Sequence, residues 1–210
     1  MIVFNPPAES LSLSNVTLLR PQKLVFEDIN FSLASGGICL IKGPNGAGKT
    51  SLLRIIAGFL KAHTGILKFG PKYFDPLKST MPIWYVGSPF GFHPSLTAEK
   101  NLSQIASMRK SQLPVEDIFF TRNFAKQPVR TLSSGQLQRL ALSQLTLASK
   151  STTPALWLLD EPKNALDSFY SLALEKVMED HLRSGGRIIV ATHQPICEHL
   201  SPQIVQLGIN

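Results

Sequence analysis

Residues 43–50 read Gly-Pro-Asn-Gly-Ala-Gly-Lys-Thr and match every fixed position of the pattern G-x-x-x-x-G-K-[ST]. The apolar run 38–41 before them is typical of a buried strand, and residues 50–57 after them are typical of a helix. In this context the glycines allow backbone N–H groups to surround phosphate oxygens at the positive end of the helix. The segment therefore predicts a binding site for a nucleoside triphosphate.

Two side chains of this segment have specific expected roles. Lys49 is expected to reach the β- and γ-phosphates, and the hydroxyl of Thr50 is expected to ligate Mg²⁺. The predicted nucleotide-binding residues are Gly43, Pro44, Asn45, Gly46, Ala47, Gly48, Lys49, Thr50 and Ser51.

Composition restricts the classes of function. The 210 residues suffice for one α/β domain, and the net charge of +7 comes with only 17% charged residues. The positive residues are scattered, which favours a solvated surface over a nucleic-acid interface. The two cysteines, Cys39 and Cys197, have no metal-ligand spacing. We therefore expect no nucleic-acid partner and no cysteine-bound metal.

The sequence also bears on membrane association. No apolar run reaches the roughly 18 residues needed to cross a bilayer. The first residues have no basic region, and no arginine precedes Arg20, so they match neither a secretory signal nor an organellar presequence. We expect a chain without its own membrane anchor that stays where it is made.

Hydrophobic patterns predict the class of fold. The continuous apolar runs 156–159 and 188–191 are typical of parallel strands covered on both faces, and a helix is expected between them over 168–182. Residues 11–41 predict two or three strands, and residues 96–148 are helical in pattern. The prediction is one α/β domain over 1–210, with a core over about 1–82 and 150–210 and a helical subdomain over about 95–149.

An acidic pair follows the first of these runs. Asp160 ends the predicted strand 156–159, where a carboxylate can hold Mg²⁺ through water opposite Lys49 and Thr50. Glu161 comes next and can polarise an attacking water. An apolar run that ends in Asp-Glu is weak evidence alone, but it becomes strong downstream of a phosphate-binding loop.

A second candidate anion site opens the helix that precedes this strand. Residues 132–136 read Leu-Ser-Ser-Gly-Gln, and Gly135 lies 25 residues before Asp160. Serine and glycine at a helix N-terminus can bind an anion. Taken alone, the segment is better interpreted as an ordinary helix cap.

Together these motifs resemble those of the ATP-binding cassette (ABC) ATPases. Residues 43–50 are similar to the Walker A loop, 132–136 to the signature motif, 156–161 to the Walker B strand, 164–167 to the D-loop and His193 to the switch histidine. The resemblance covers nearly the whole chain. It implies a P-loop cassette with a RecA-like core, an antiparallel β subdomain and a helical insertion, which hydrolyses ATP with Mg²⁺.

The resemblance also implies how the site is divided between two chains. In this family two cassettes enclose two ATP molecules, and each site is completed by the partner's signature motif. A second copy of the chain is therefore an expected partner. The implied roles are Glu161 and His193 in catalysis, Thr50 and Asp160 as Mg²⁺ ligands, Asp167 in the D-loop, and Ser133, Ser134, Gly135 and Gln136 as signature residues that act in trans.

A narrower resemblance concerns the switch region. Residues 192–195, Thr-His-Gln-Pro, and the segment that begins at Tyr85 resemble the CcmA family, the ATPase subunits of cytochrome c maturation (haem exporter) complexes. This implies integral membrane subunits resembling CcmB and CcmC, and hydrolysis that drives haem export or release of a haem-loaded chaperone. It also implies a peripheral place on the cytoplasmic face of the inner (plasma) membrane, or on the matrix face of the mitochondrial inner membrane if the gene is organellar.

The sequence departs from the family pattern at several positions. By ungapped comparison, the glutamine of the family's Q-loop falls on Pro89. Lys163 and Asn164 stand in the D-loop where small, apolar or hydroxyl residues are usual. No aromatic residue lies near Leu19, where many cassettes stack the adenine, so the guanidinium of Arg20 is a candidate for that role.

Three alternative functions remain open at this stage. The chain resembles, more broadly, a soluble ABC-family ATPase or the ATPase of another small-substrate exporter. Translation-type members usually have two cassettes and repair-type members have long coiled coils, which a single cassette without a heptad run does not match. A regulatory module that no longer hydrolyses ATP is disfavoured by the intact Lys49, Asp160, Glu161 and His193.

Overall fold

The computed structural model describes residues 10–21, 23–79, 81–113, 116–148 and 154–208. The strands are β1 (Leu11–Arg20), β2 (Lys23–Leu33), β3 (Ile38–Lys42), β4 (Thr64–Phe69), β5 (Lys72–Tyr73), β6 (Ile83–Val86), β7 (Leu156–Asp160), β8 (Arg187–Ala191) and β9 (Gln203–Gln206). The helices are α1 (Lys49–Ile56), α2 (Ala98–Met108), α3 (Ser134–Ala148) and α4 (Ser168–Arg183).

The centre of the molecule is a parallel sheet with the order β6-β7-β8-β3-β9. Three of its strands, β3, β7 and β8, contain the apolar runs that the sequence analysis identified, and they are buried on both faces. The edge strand β9 is mostly exposed. In β7, Leu156 and Leu158 face one hydrophobic cluster, whereas Trp157 and Leu159 face the other, as the two-residue period of a strand requires. Because the strands are parallel, the loops after β3, β7 and β8 lie at one edge of the sheet.

A second, antiparallel sheet has the order β2-β1-β4-β5. With α1 it covers one face of the parallel sheet, and α3 and α4 contribute to the core on the other face. Pro71, Pro76 and Pro82 predict a loop over 71–82, and this prediction is wrong at β5. Here the chain reverses at Gly70, which has a φ of +57°, and Tyr73 pairs with Lys68 of β4.

The region expected to be helical over 96–148 contains two α-helices with short 3₁₀ turns between them. Threonine is a favoured N-cap residue, and Thr97 caps α2, because its hydroxyl accepts a hydrogen bond from the backbone N–H of Lys100 at 3.3 Å. Between α2 and α3, the carboxylate of Asp117 accepts bonds from the backbone of Thr121 and Arg122 and begins a 3₁₀ turn, Thr121–Phe124. The prediction of helix is therefore wrong for most of 109–133.

Two sequence expectations fall outside the described residues. These are the proposed boundary near 149–150 between the helical subdomain and the core, and the interpretation of residues 1–9 as neither signal nor presequence. Among the helices that the structure describes, none combines the length and the apolarity needed to traverse a lipid bilayer.

Candidate nucleotide-binding site

The loop between β3 and α1 has a positive φ at all three of its glycines, a backbone that favours glycine over other residues. Gly43 has a φ of +152° and Gly48 a φ of +97°. A Cβ atom at Gly48 would lie 2.7 Å from the ring of Phe26, and one at Gly43 would lie 2.6 Å from the carbonyl oxygen of Leu207. Since the N-cap residue, Gly48, has no side chain, the first N–H groups of α1 remain available to an anion.

Lys49 is almost fully buried beside this loop. Its side-chain ammonium donates to the carbonyl oxygen of Gly43 at 2.8 Å and to that of Pro44 at 3.3 Å. Only 7% of the residue is exposed, yet it lines the cavity above the loop. The fold thus holds a positive charge over the backbone amides that are expected to bind phosphate.

Thr50 and Asp160 meet although 110 residues separate them. The Thr50 hydroxyl donates to Asp160 Oδ2 at 2.7 Å, which joins the start of α1 to the end of β7. Burial raises the pKa of Asp160; the Thr50 hydrogen bond opposes that rise, and the nearby Glu161 carboxylate adds to it. The two predicted Mg²⁺ ligands therefore present their oxygens side by side.

Glu161 and His193 come from neighbouring strands. Glu161 follows β7 with a φ of +48°, and its N–H donates to the carbonyl oxygen of Ala191 at 2.8 Å. Nδ1 of His193 lies 2.9 Å from Oε2 of Glu161. The side chain of His193 is 58% exposed, whereas that of Glu161 is 22% exposed, so the imidazole forms the outer surface of this pair.

The side chains of Lys49, Thr50, Asp160 and Glu161 border a cavity of about 490 Å³, and His193 is not among its described lining residues. Its lining residues are Arg20, Lys23, Val25, Asn45, Gly46, Gly48, Lys49, Thr50, Ser51, Asp160 and Glu161. Arg20, the candidate for adenine stacking, lies in the wall, and its guanidinium donates to the Ser51 hydroxyl at 3.5 Å. Of the predicted loop and acidic residues, the structure thus brings Lys49, Thr50, Asp160 and Glu161 around one space.

The signature residues lie apart from that space, because none of the described residues that line the cavity belongs to 133–136. Ser133 and Gln136 form a reciprocal cap at the start of α3. The Ser133 hydroxyl accepts from the Gln136 N–H at 3.2 Å, and the Ser133 N–H donates to Gln136 Oε1 at 2.9 Å. Ser133 and Ser134 are exposed, and a Cβ atom at Gly135 would lie 2.9 Å from the carbonyl oxygen of Ala165.

Asp167 also has a structural contact. It is the N-cap of α4, and its carboxylate accepts from the backbone N–H of Tyr170 at 2.9 Å. The side chain lies at the surface next to the turn that holds Asn164 and Ala165. Its N-cap bond is made within the chain and does not require a partner.

Two groups near the site were missed by the sequence analysis. The hydroxyl of Tyr85 donates to Asp160 Oδ2 at 3.5 Å. Burial and the charge of Asp160 raise the pKa of Tyr85, and the nearby Arg54 acts to lower it. The two-residue period of β6 could have placed Tyr85 on the side of the sheet that faces α1, but no motif marks it.

Comparisons with known proteins agree with this geometry. A sequence profile of the ABC transporter family matches residues 26–164. The cytochrome c biogenesis ATP-binding export protein CcmA of Pseudomonas putida is 34% identical over 193 residues, which are 89% of this chain and 90% of that protein. A second CcmA protein, from Cupriavidus metallidurans, is 38% identical over 81% of this chain and 82% of its own length.

Solved structures with the same fold are more distant in sequence. An ATP-binding protein of a putative ABC transporter from Pyrococcus furiosus has a TM-score of 0.75 at 22% identity, over 94% of this chain and 97% of that one. A dimeric bacterial ABC transporter cassette has a TM-score of 0.74 at 22% identity, over 94% of both chains. The predicted cassette fold is confirmed. The chain belongs to the ABC transporter family of ATP-hydrolysing subunits and, within it, to the group of the CcmA proteins.

Proposed function

We propose that this chain hydrolyses ATP with Mg²⁺ as the ATPase subunit of a cytochrome c biogenesis complex. The observation that carries the proposal is the bond between Thr50 and Asp160 at the floor of a cavity that also contains Lys49 and Glu161. The names of the relatives, which are ATP-binding export proteins of cytochrome c biogenesis, support the choice of pathway.

The chemistry of the floor of the cavity fits Mg²⁺. A hydroxyl and a carboxylate are hard oxygen ligands of the kind that this ion prefers, and both line the cavity beside the backbone expected to hold the phosphates. Bound Mg²⁺ supplies positive charge that offsets the charge of the phosphate oxygens. Thr50 and Asp160 would hold it. A positive ion would also favour the ionised form of Asp160, whose pKa burial raises.

The remaining side chains have separate parts in hydrolysis. Backbone N–H groups of 46–50 and the ammonium of Lys49 bind and orient the phosphates. Glu161 orients and polarises the water that attacks the γ-phosphorus, while the bridging oxygen leaves with ADP. We propose that His193, whose Nδ1 lies 2.9 Å from Oε2 of Glu161, contacts the γ-phosphate.

The second half of each site is proposed to come from another copy of the chain. Ser133 and Ser134 are exposed and lie outside the cavity formed by their own chain. The N-terminus of α3 offers backbone N–H groups to an anion. The dimeric cassette with the same fold supports this arrangement. ATP bound by one copy would thus be enclosed by the signature residues of the other.

A membrane-embedded partner is proposed to contact the groove beside β6. This groove, of about 710 Å³, includes Pro89 and the apolar side chains of Phe59 and Met108, which are 66% and 84% exposed. Exposed apolar side chains around one groove are typical of a protein interface. We propose that subunits resembling CcmB and CcmC cover this groove. They would hold the chain on the cytoplasmic face of the inner membrane, or on the matrix face in a mitochondrion. There, hydrolysis would serve haem export or release of a haem-loaded chaperone.

The proposal is tested by ATP hydrolysis with and without membrane partners. The purified chain is expected to be a weak Mg²⁺-dependent ATPase. A tagged chain incubated with ATP and solubilised membranes should recover a multi-span protein resembling CcmB, and that complex should hydrolyse ATP faster than the chain alone. Recovery of ribosomes or nucleic acid instead, lost at high salt, would contradict the proposal and favour a soluble cassette protein.

A further inference from the structure

Lys163 joins two loops that the sequence motifs treat as separate. It lies in the turn 162–165 after Glu161, and its ammonium donates at 2.8 Å to the carbonyl oxygen of Pro195 in the loop that carries His193. The same ammonium lies 2.9 Å from the carboxylate of Glu175 on α4. The side chains of Lys163 and Glu175 are only 16% and 19% exposed, so solvent weakens this ion pair less than it weakens a surface pair.

A second contact joins the same two loops. The side-chain amide of Gln194 donates to Asn164 Oδ1 at 3.0 Å. The backbone N–H of Gln194 also donates to the Thr192 hydroxyl at 3.0 Å, which closes the loop on itself. His193 lies between these fixed points. The residues at 163 and 164 that depart from the usual D-loop pattern are therefore the ones that bond to the loop 192–195.

The turn from which Lys163 reaches is itself anchored. Gln138 of α3 donates to the carbonyl oxygen of Pro162 at 2.8 Å, and this bond is buried. The N–H of Asn164 donates to the carbonyl oxygen of Glu161 at 3.1 Å. Lys163 thus extends from a turn that α3 holds in place, and it can fix a second loop against the first.

We propose that Lys163 is a positioning residue for hydrolysis, which acts with Asn164 to hold His193 beside Glu161. The inference rests on the proposed function, because it assigns Lys163 a role through His193. A charged donor suits this role, because one ammonium offers three N–H groups and makes a charge-assisted bond to the Pro195 carbonyl while Glu175 balances its charge. Without that donor, the loop that carries His193 would have one hydrogen bond fewer to hold Nδ1 of His193 at 2.9 Å from Glu161.

The first test compares Lys163→Met with the matched variant Lys176→Met. Lys176 follows Glu175 on α4 and is exposed, so its replacement removes the same charge outside the contact. For Lys163→Met we expect kcat for ATP to fall about tenfold and KM to change less than twofold, because the loop 43–51 that binds the phosphates is not touched. Lys176→Met should behave like the wild type. Equal kcat values for the two variants would overturn the proposal.

The second test asks whether Lys163 acts through His193. Hydrolysis of labelled ATP is measured in single turnovers for the wild type, both single variants and the pair Lys163→Met with His193→Ala. If the role is positional, Lys163→Met costs less than about twofold once His193 is absent. A full tenfold loss in that background would overturn the proposal, because it would show an effect that does not pass through the imidazole.

The midpoint of thermal unfolding shows whether Lys163→Met folds. If it does not fold, a further variant tests the proposal. Gln194→Ala removes the second contact at an exposed position, and a loss of about threefold in kcat, again absent in the His193→Ala background, supports the proposal. An unchanged kcat overturns it. A wild-type chain that hydrolyses no ATP contradicts the proposed function and this inference with it, whereas an active wild type with unaffected variants contradicts the inference alone.

Discussion

The phosphate-binding loop and the signature segment both place glycine and serine or threonine at the start of a helix, but their surroundings differ. The loop before α1 faces a cavity, and its Thr50 bonds to a carboxylate 110 residues away. The segment before α3 faces the surface, and Ser133 bonds mainly to Gln136 three residues away. One helix start is thus built into a site by distant parts of the chain, whereas the other is satisfied locally and leaves its outer face exposed.

This difference shows why similar local chemistry leads to different functional requirements. The first helix start has beside it the two acidic residues that we propose hold Mg²⁺ and orient water, so in this proposal its own chain supplies most of what hydrolysis needs. The second is also a helix N-terminus, where backbone N–H groups can bind an anion, but residues 133–136 are not among the described residues that line the cavity. It is suited to complete a site on another molecule.

The largest expected effect is in the half of the ATP site that contains the phosphate-binding loop and Glu161. Glu161→Gln keeps the hydrogen-bonding shape but cannot orient and polarise water as a carboxylate does, so we expect hydrolysis to fall about a thousandfold. Because ATP still binds, the variant should accumulate as an ATP-bound dimer. Hydrolysis is measured by phosphate release, and the dimer by size-exclusion chromatography with ATP and Mg²⁺.

Glu116→Gln is the control for this change, since Glu116 is an exposed carboxylate outside the site. It should hydrolyse ATP like the wild type. If Glu161→Gln stays monomeric with ATP, or hydrolyses at the wild-type rate, the role of Glu161 and the assignment of this half are wrong.

The second prediction concerns the exposed signature segment, residues 132–136, which we propose completes the ATP site of another chain. Ser133→Asp keeps a good N-cap for α3 but places a negative charge where a phosphate would bind, so we expect about a hundredfold loss of hydrolysis with little loss of stability. Lys49→Ala should be inactive for a different reason, because it loses the phosphate contact in cis. If signature residues act in trans, mixing these two inactive chains creates one intact site in each mixed dimer, which restores about a quarter of the wild-type rate.

The control for complementation is a mixture of Lys49→Ala with Lys49→Ala, Ser133→Asp double-variant chains. That mixture contains no intact loop and should stay inactive. Failure of the first mixture to regain activity, although size-exclusion chromatography shows mixed dimers, would mean that each chain uses its own signature residues.

The third prediction tests α4, which begins just after the D-loop. His181 of α4 is buried, stacks on Trp157 with ring centroids 3.7 Å apart, and has a ring nitrogen 3.0 Å from the carbonyl oxygen of Ala155. Burial lowers its pKa from 6.5 to about 4. Between these values the unfolded chain binds a proton that the folded chain does not, so stability falls as the pH falls. At pH 5 the loss is about 2 kcal/mol.

Urea unfolding of the wild type and of His181→Gln at pH 8 and pH 5 checks this contribution. The wild type should lose about 2 kcal/mol more than the variant on acidification. The comparison removes the effect of other titrating groups, which both proteins share. If both proteins lose the same stability, the imidazole is accessible to protons in the folded state and the packing argument is wrong.

Local sequence predicted the elements whose patterns are local. The apolar runs 156–159 and 188–191 became β7 and β8 because a strand buried on both faces needs no polar residues. The region 109–133 was predicted poorly for the converse reason. Its conformation depends on single side chains such as Asp117, whose carboxylate accepts a hydrogen bond from the first N–H of a 3₁₀ turn. It also depends on packing that produces no periodic hydrophobic pattern in the sequence.

The candidate site shows the same limit. The closeness of Thr50 and Asp160 followed from two motifs, each of which has a fixed place at the edge of a parallel sheet. The bonds of Tyr85 to Asp160 and of Lys163 to Pro195 could not be predicted, because they join positions 75 and 32 residues apart and no motif assigns a partner to the side chain of Tyr85 or Lys163. The sequence identified Lys163 only as a departure from the usual D-loop pattern. The structure shows that its side chain contacts Pro195 and Glu175.

The smallest expected effect concerns another departure, Pro89. It lines the groove that includes Phe59 and not the nucleotide cavity, and proline has neither a side-chain donor nor an acceptor. Near Asp160, the polar contact from this part of the chain comes from Tyr85. Pro89→Gln adds at most one ligand or water contact, so basal hydrolysis should change about tenfold or less, or about 1.4 kcal/mol. Its main effect should be on stimulation by the membrane partner, measured as the ratio of rates with and without it.

A hundredfold rise in basal hydrolysis would show that the natural site is impaired, and a regulatory role without turnover would then explain the chain better.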